Sequence, residues 1–212
     1  MSDHSMGTDQ KETLMRTIKR PALFLLVAAA ITTIWIGAPR PNRAGAATPM
    51  IGCPGGTLTV RTGQRFYHTV VVSDVVDLYA WQTAITYNAT YLAYEGVVTG
   101  DFLIRDGAAQ YTVEPSVTPG RVDDLAVTRL GRPTGQDGSG AIAYLFFTAL
   151  KQVTSGTSAR VTEALLADRN ALAIEKNYID SGYCRVIIRD DAPVLIQPPI
   201  GTHSVYVPLV LR

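Results

Sequence analysis

The chain predicts an all-β fold, a sandwich of about nine short strands, and three observations carry that prediction. Apolar residues recur with a period of two along most of residues 57–189. The runs between are broken by Gly, Pro, Asn and Asp at the spacing of turns. No long stretch shows the 3.6-residue period of an amphipathic helix. The stretch TVVVSDVVDLYAWQTAITYNATYLAYEGVVTGDFL, Thr69 to Leu103, is the densest example. It sets β-branched and aromatic residues at alternating positions, as a half-buried pleated surface requires.

Taken in order, the first strand is Thr57–Thr62, stopped by Gly63. The Val-rich run Arg65–Ser73 ends at the Ser73-Asp74 turn signal, and Leu78–Tyr87 ends at Asn88. Leu92–Val98 stops before Gly100, and Gln110–Glu114 stops at the Pro115 to Gly120 loop. Arg121–Leu130, Ala141–Ala149, Ala159–Ala167 and Cys184–Arg189 follow. Their separators are Asp137 to Gly140, Ser155-Gly156 and Ser181-Gly182. Ala164 to Ala173, rich in good helix formers, also fits a helical turn or two.

Alternation assigns the faces. In Leu78–Tyr87 the larger set, Tyr79, Trp81, Thr83, Ile85 and Tyr87, is expected in the core. That leaves Leu78, Ala80, Gln82, Ala84 and Thr86 outside. In Arg121–Leu130, Leu125 and Val127 point inward while Asp124, Ala126 and Thr128 point outward. These outward faces are small and mildly polar, which suits flat docking against another protein.

The two ends differ from the middle. Lys11, Arg16, Lys19 and Arg20 precede an apolar run from Ala22 to Ala38, and Ala44-Gly45-Ala46 offers small residues for cleavage. Residues 1–46 therefore read as a signal peptide, the alternative being an uncleaved membrane anchor. Either way the rest of the chain is expected outside the cell or on its surface, with no membrane contact beyond this segment. Without residues 1–46 the chain keeps 13 of its 19 basic and 15 of its 18 acidic side chains, a formal charge of −2. No basic stripe remains to neutralise phosphates, which excludes nucleic acid as an expected partner. At the other end, residues 192–212 read as a proline-rich linker followed by a strand-like tail through Val205, Val207, Leu209 and Leu211. That tail fits an extra strand laid along the sandwich or a surface-attachment segment.

The residue types that carry catalysis are not arranged for it. His4 leaves with the leader, and His68 and His203 have no evident reason to converge. There is no nucleophile-elbow serine, paired-Cys metal pattern or phosphate-binding glycine loop. The adjacent acids Asp123-Asp124 and Asp190-Asp191 are expected on opposite strand faces, and no cofactor or metal is implied. Asn88-Ala89-Thr90 fits the glycosylation sequon and equally a turn. In an exported chain, Cys53 and Cys184 read as a disulfide, with two free buried thiols as the alternative.

The order of several motifs resembles the cohesin family, the receptor modules that hold dockerins in cellulosomes. Gly63 precedes the Val-rich strand, and Tyr87-Asn88-Ala89 stands where the family has Tyr-Asp-Pro. Leu92, Gly100-Asp101-Phe102-Leu103, Gly138-Ser139-Gly140 before Leu145-Phe146-Phe147, and Leu166-Ala167-Asp168 follow in order. The resemblance covers about Thr57 to Arg189. It implies a nine-stranded jelly-roll β-sandwich over residues 47–191 that catalyses nothing and binds a dockerin-like protein. It also implies that the first and last strands pair in parallel, which would bring Cys53 and Cys184 together. The binding face would use Ala80, Gln82, Ala84, Thr86, Asp124, Ala126 and Thr128. The family's third strand presents Asn and Asp outward, where this chain has Ala80 and Gln82. The alternative function is a carbohydrate-binding module holding polysaccharide on exposed Tyr79, Trp81 and Tyr87.

Overall fold

A computed structural model describes residues 47–200 and the backbone of a short strand at 205–206. The leader expected at residues 1–46, and most of the tail after residue 200, lie outside the described residues. Apart from two short 3₁₀ turns, the regular elements of the described residues are strands: β1 (Met50–Gly52), β2 (Thr57–Val60), β3 (Arg65–Tyr87), β4 (Leu92–Thr99), β5 (Ala109–Val113) and β6 (Ser116–Thr118). Then come β7 (Arg121–Leu130), β8 (Gln136–Ala149), β9 (Val153–Asp168), β10 (Asn177–Tyr178), β11 (Tyr183–Ile188) and β12 (Val205–Tyr206). Among the described residues no helix is long and apolar enough to cross a membrane.

The strands form the two layers of a β-sandwich, and β3 belongs to both. Its first half pairs with β8, which pairs with β4, which in turn pairs with β12; β1 and β10 close the other side. Its second half lies between β7 and β9, with β5 and β6 beyond β7 and β11 and β2 beyond β9. The core fills the space between with Phe66, Val72, Leu145 and Phe147 from one layer and Trp81, Ile85, Leu125, Val127, Leu166 and Val186 from the other.

Two expected strands, Arg65–Ser73 and Leu78–Tyr87, are thus one strand of 23 residues. The Ser73-Asp74 signal does not end it. Asp74 and Asp77 adopt φ of 55° and 58°, and the register against β8 shifts at both places. Each shift admits one extra residue, a β-bulge, and turns the following side chains to the other face. Ser139 Oγ accepts from Asp74 N, Asp137 Oδ1 accepts from Asp77 N, and Asp77 Oδ1 accepts from Gly135 N. These side chains replace the ladder bonds that the bulges remove.

The bulges correct the face assignment at one end of the run. Buried positions follow Val70, Val72, Val75, Leu78, Trp81, Thr83 and Ile85, with three-residue steps where simple alternation expects two. Leu78 is consequently in the core, and Tyr79, expected there, lies partly exposed with its hydroxyl donating to Arg132 O. From Trp81 to Ile85 the expected phase holds, as it does for Leu125 and Val127.

Three shorter strands, β1, β6 and β10, were not expected, so the described residues hold more than nine; they are too short to show a period. The candidate helical turn at Ala164–Ala173 is strand up to Asp168. The Asp168 carboxylate then accepts from Asn170 N and Leu172 N and turns the chain. Asn88 also turns the chain, its Oδ1 accepting from Thr90 N. Gly100 sits where strands cross closely, since a Cβ there would lie 2.1 Å from Ala141 O. Beside it Phe102 and Leu103 enter the core on a 3₁₀ turn. Arg129, fully buried, clamps that turn by donating to Leu103 O, Thr134 O and the Asp106 carboxylate.

Strands β2 and β11 pair in parallel, Thr57 opposite Arg185 and Val60 opposite Ile188. Cys53 and Cys184 form a disulfide with 5.3 Å between their Cα atoms, as the parallel pairing requires. Residues 192–200 are extended, as their prolines dictate, and are bonded along β3. Gln64 and Leu195 exchange two hydrogen bonds, and the Gln197 amide does the same with the backbone of Tyr67. Val205 and Tyr206 then pair antiparallel with β4, the extra strand expected of the tail.

Two outcomes follow for stability. Trp81→Ala leaves a core cavity and should cost about 3–5 kcal/mol in denaturant unfolding. Burial pushes the His68 imidazole down to about 4, against 6.5 for a free histidine. The unfolded chain therefore binds the proton first as pH falls. Stability should decline from about pH 6.5 to about pH 4 and then level off for this group. His68→Phe, which cannot titrate, should remove that part of the slope in pH-dependent urea melts.

Candidate functional site

The outer face of the layer built on the second half of β3 gathers every residue that the sequence proposed for partner binding. Its cross-strand rows are fixed by register. Tyr111, Thr128, Ala80 and Ala167 form one row across β5, β7, β3 and β9. Val113, Ala126, Gln82 and Leu165 form the next. Ala84 and Glu163 continue it, facing the register shift of β7 at Asp123 and Asp124. Residues opposite one another on paired strands share a face, so each row is a contiguous strip of surface.

The face has two parts. A shallow apolar cleft of about 160 Å³ is lined by Ala80, Gln82, Val113, Ala126, Thr128 and Leu165. Small residues make its floor, and Val113 and Leu165, 42% and 52% exposed, stand at its two sides. A second cleft of about 250 Å³ adjoins it through Gln82 and Leu165 and carries Asp123, Asp124 and Glu163. Ala84 lines this acidic cleft at 5% exposure, outside the core cluster. It faces the expected side but is covered, which alternation alone does not show. Thr86, the remaining proposed residue, is half-buried one step further along β3, opposite Arg121 and Arg160.

The acids depart from expectation. Asp123 and Asp124 were expected on opposite faces, yet both line the same cleft. Asp124 has φ of 57° at the β7 shift, and that bulge turns its side chain to the side of its neighbour. The Arg121 guanidinium bridges Asp123 and Glu163 at 2.8 and 3.1 Å, and Gln82 Nε2 donates to Asp124 Oδ1 at 3.0 Å. Asp190 and Asp191 lie past β11, where Asp191 pairs with Arg189.

Sequence reading missed Tyr111, Val113 and Leu165. Val113 and Leu165 lie within expected strands as ordinary apolar positions; only the register places them on the outside. Trp81, the ring that polysaccharide stacking would need at the surface, is 2% exposed. It also missed the neighbourhood of the disulfide. His68, expected to stand apart, offers a ring nitrogen within 4.8 Å of both sulfurs.

Comparison with known proteins agrees with this fold. The sequence profile of the Cohesin domain matches residues 55–183. The chain belongs to the cohesin family. Cohesins are non-catalytic binding modules, so the chain is a protein-binding module and not an enzyme. No curated protein matches. Among solved structures, CaCohA2 from Clostridium acetobutylicum is 20% identical with a TM-score of 0.52, covering 69% of this chain and 94% of that one. A non-cellulosomal cohesin from the archaeon Archaeoglobus fulgidus is 14% identical with a TM-score of 0.53, covering 68% and 92%. The cohesin of OlpA from Clostridium thermocellum, solved in a type I complex with a dockerin, is 16% identical with a TM-score of 0.52, covering 68% and 100%. At these identities the likeness is one of fold.

Because Val113 and Leu165 project from the sheet without entering the core, Val113→Asp and Leu165→Asp should each change stability by no more than about 0.5 kcal/mol. Urea unfolding of the two variants checks the assignment of this face.

Proposed function

We propose that this cohesin is an exported or surface-attached receptor module that holds a dockerin-like protein on the outer face of β9, β3, β7 and β5. One observation carries the reading: an apolar floor of small residues, flanked by exposed Val113 and Leu165, lies directly beside a cleft of carboxylates. Small side chains let a partner helix approach the sheet closely, and the exposed apolar pair gives it surface to bury. Ala80, Gln82, Ala84, Thr86, Asp124, Ala126 and Thr128 form the centre of the face, with Tyr111, Val113 and Leu165 at its margins. The cohesin fold and a dockerin complex among its structural neighbours support this partner class.

The face differs from the family pattern in where its charge lies. Ala80 and Gln82 replace the outward Asn and Asp of the third strand, and the carboxylates come from β7 and β9 instead. A dockerin that relies on a central carboxylate is therefore a poor fit, and a divergent partner with an apolar stripe is a better one. The basic and apolar pattern before Ala44-Gly45-Ala46 and the disulfide support export. The polysaccharide reading loses its central ring with Trp81 inside the core.

The test is to pass the secretome of the source organism over immobilised protein and identify what is retained. Retention of a dockerin-bearing protein by wild type, lost in Leu165→Arg while that variant melts normally, is the expected result. Equal retention by wild type and Leu165→Arg, or polysaccharide binding without protein capture, would overturn the reading.

A further inference from the structure

Away from the docking face, the edge where β2 meets β11 holds a second cluster with coordination chemistry of its own. Cys53, His68 and Cys184 are all buried, and their Sγ and ring-nitrogen atoms lie within 4.8 Å of one another. Three different elements deliver them: the loop before β2, the first half of β3, and β11. His68 Nε2 is buried with no hydrogen-bond partner, an arrangement that costs free energy in a satisfied core. The ring is held edge-on by Phe66 and Phe147, 5.4 and 6.2 Å between centroids, so it has little freedom to turn elsewhere.

We propose that, once the Cys53–Cys184 bond is reduced, the two thiolates and the His68 imidazole hold one thiophilic divalent cation such as Zn²⁺. Two sulfurs bound to one tetrahedral zinc stand roughly 3.7 Å apart, each about 2.3 Å from the metal. Side-chain rotation alone can open the pair that far, because the Cα atoms are 5.3 Å apart and held by the parallel ladder. The charges balance, since two thiolates and a neutral imidazole around M²⁺ sum to zero. A buried site therefore carries no uncompensated charge. A fourth position is open towards a cleft of about 110 Å³ lined by Gly55, Gly56, Tyr67, Arg185 and Gln197, with room for a water ligand.

The chemistry needs a reductant. A dithiol reduces the bridge by exchange, each of its sulfurs losing one electron as it closes its own disulfide, while Cys53 and Cys184 each gain an electron and a proton. Binding of M²⁺ then releases those two protons. The oxidised and metal-bound forms exclude one another because a disulfide sulfur has no thiolate pair to give. The cluster is thus a disulfide in oxidising surroundings and a metal centre in reducing ones.

The test uses the full chain reduced with a phosphine. The phosphine takes an oxygen atom from water and becomes its oxide, and the water's two protons and the phosphine's two electrons go to the thiols. Co²⁺ titrated in without oxygen serves as the probe. One equivalent per chain should bind, with a thiolate-to-cobalt charge-transfer band and tetrahedral visible bands, both abolished by Zn²⁺. Oxidised protein should show neither. His68→Phe keeps the apolar packing and should weaken Co²⁺ binding by about tenfold or more. Cys53→Ser should lower the charge-transfer intensity. No binding by reduced protein would overturn the proposal. Half an equivalent per chain, unchanged affinity in His68→Phe, or loss of the β circular-dichroism spectrum on reduction would do the same.

Discussion

The architecture depends on a single strand that serves two layers. β3 runs 23 residues and passes from one layer to the other without leaving the ladder. A strand of that length twists, and a flat continuation would carry it away from the core. Bulges at Asp74 and Asp77 absorb the turn, each adding a residue and resetting which side chains face inward. Aspartate suits these positions because it tolerates left-handed geometry and its carboxylate or amide finds partners on β8 and its approach loop. The faces of β7 and β9 follow, because both pair with the reset half of β3.

That dependence explains what could and could not be read from the residues. Period two within Trp81–Ile85 and Leu125–Val127 identified the inward side chains, since the register shifts near Ala84 add residues to β7 and β9 and none to β3. Leu78 and Tyr79 were inverted because a bulge is invisible to an alternation count: the pattern is intact on either side and merely shifts phase. Asp123 and Asp124 were separated by the same assumption, and the left-handed Asp124 puts them together. The outward direction of the β3 and β7 residues proposed for docking was legible from one strand at a time, although the burial of Ala84 was not. Tyr111, Val113 and Leu165 were not, because their place depends on which strands become neighbours. Val113 and Leu165 are indistinguishable in sequence from core positions until the register is known.

The disulfide shows a different limit. Its pairing was expected from two lone cysteines in an exported chain, and the cohesin resemblance, with first and last strands in parallel, implied that the two would meet. The arrival of His68 was not expected, since it comes from the first half of β3, which pairs with β8, and shares no sequence neighbourhood with either cysteine. Closing so long a loop restricts the unfolded chain by on the order of 4 kcal/mol in the entropic description. It acts where the sandwich needs it, since β2 is a four-residue edge strand held on one side only.

The distribution of charge on the proposed docking face has a physical reason as well. β3 is the central strand of its layer, flanked on both sides, so a carboxylate at Ala80, Gln82 or Ala84 would be surrounded by neighbouring side chains and partly desolvated. Ala84 at 5% exposure shows how enclosed that line is. Carboxylates on β7 and β9 lie further out, and there Arg121 can bridge Asp123 and Glu163 in solvent-accessible geometry. In the proposed docking, these acids would contribute orientation and encounter rate, while the apolar floor and its flanking Val113 and Leu165 would supply the area that a partner buries. A receptor that docked its partner in the proposed way would discriminate by the shape of the approaching surface first and by charge second. That order is the reverse of what a carboxylate at the centre of the sheet would impose.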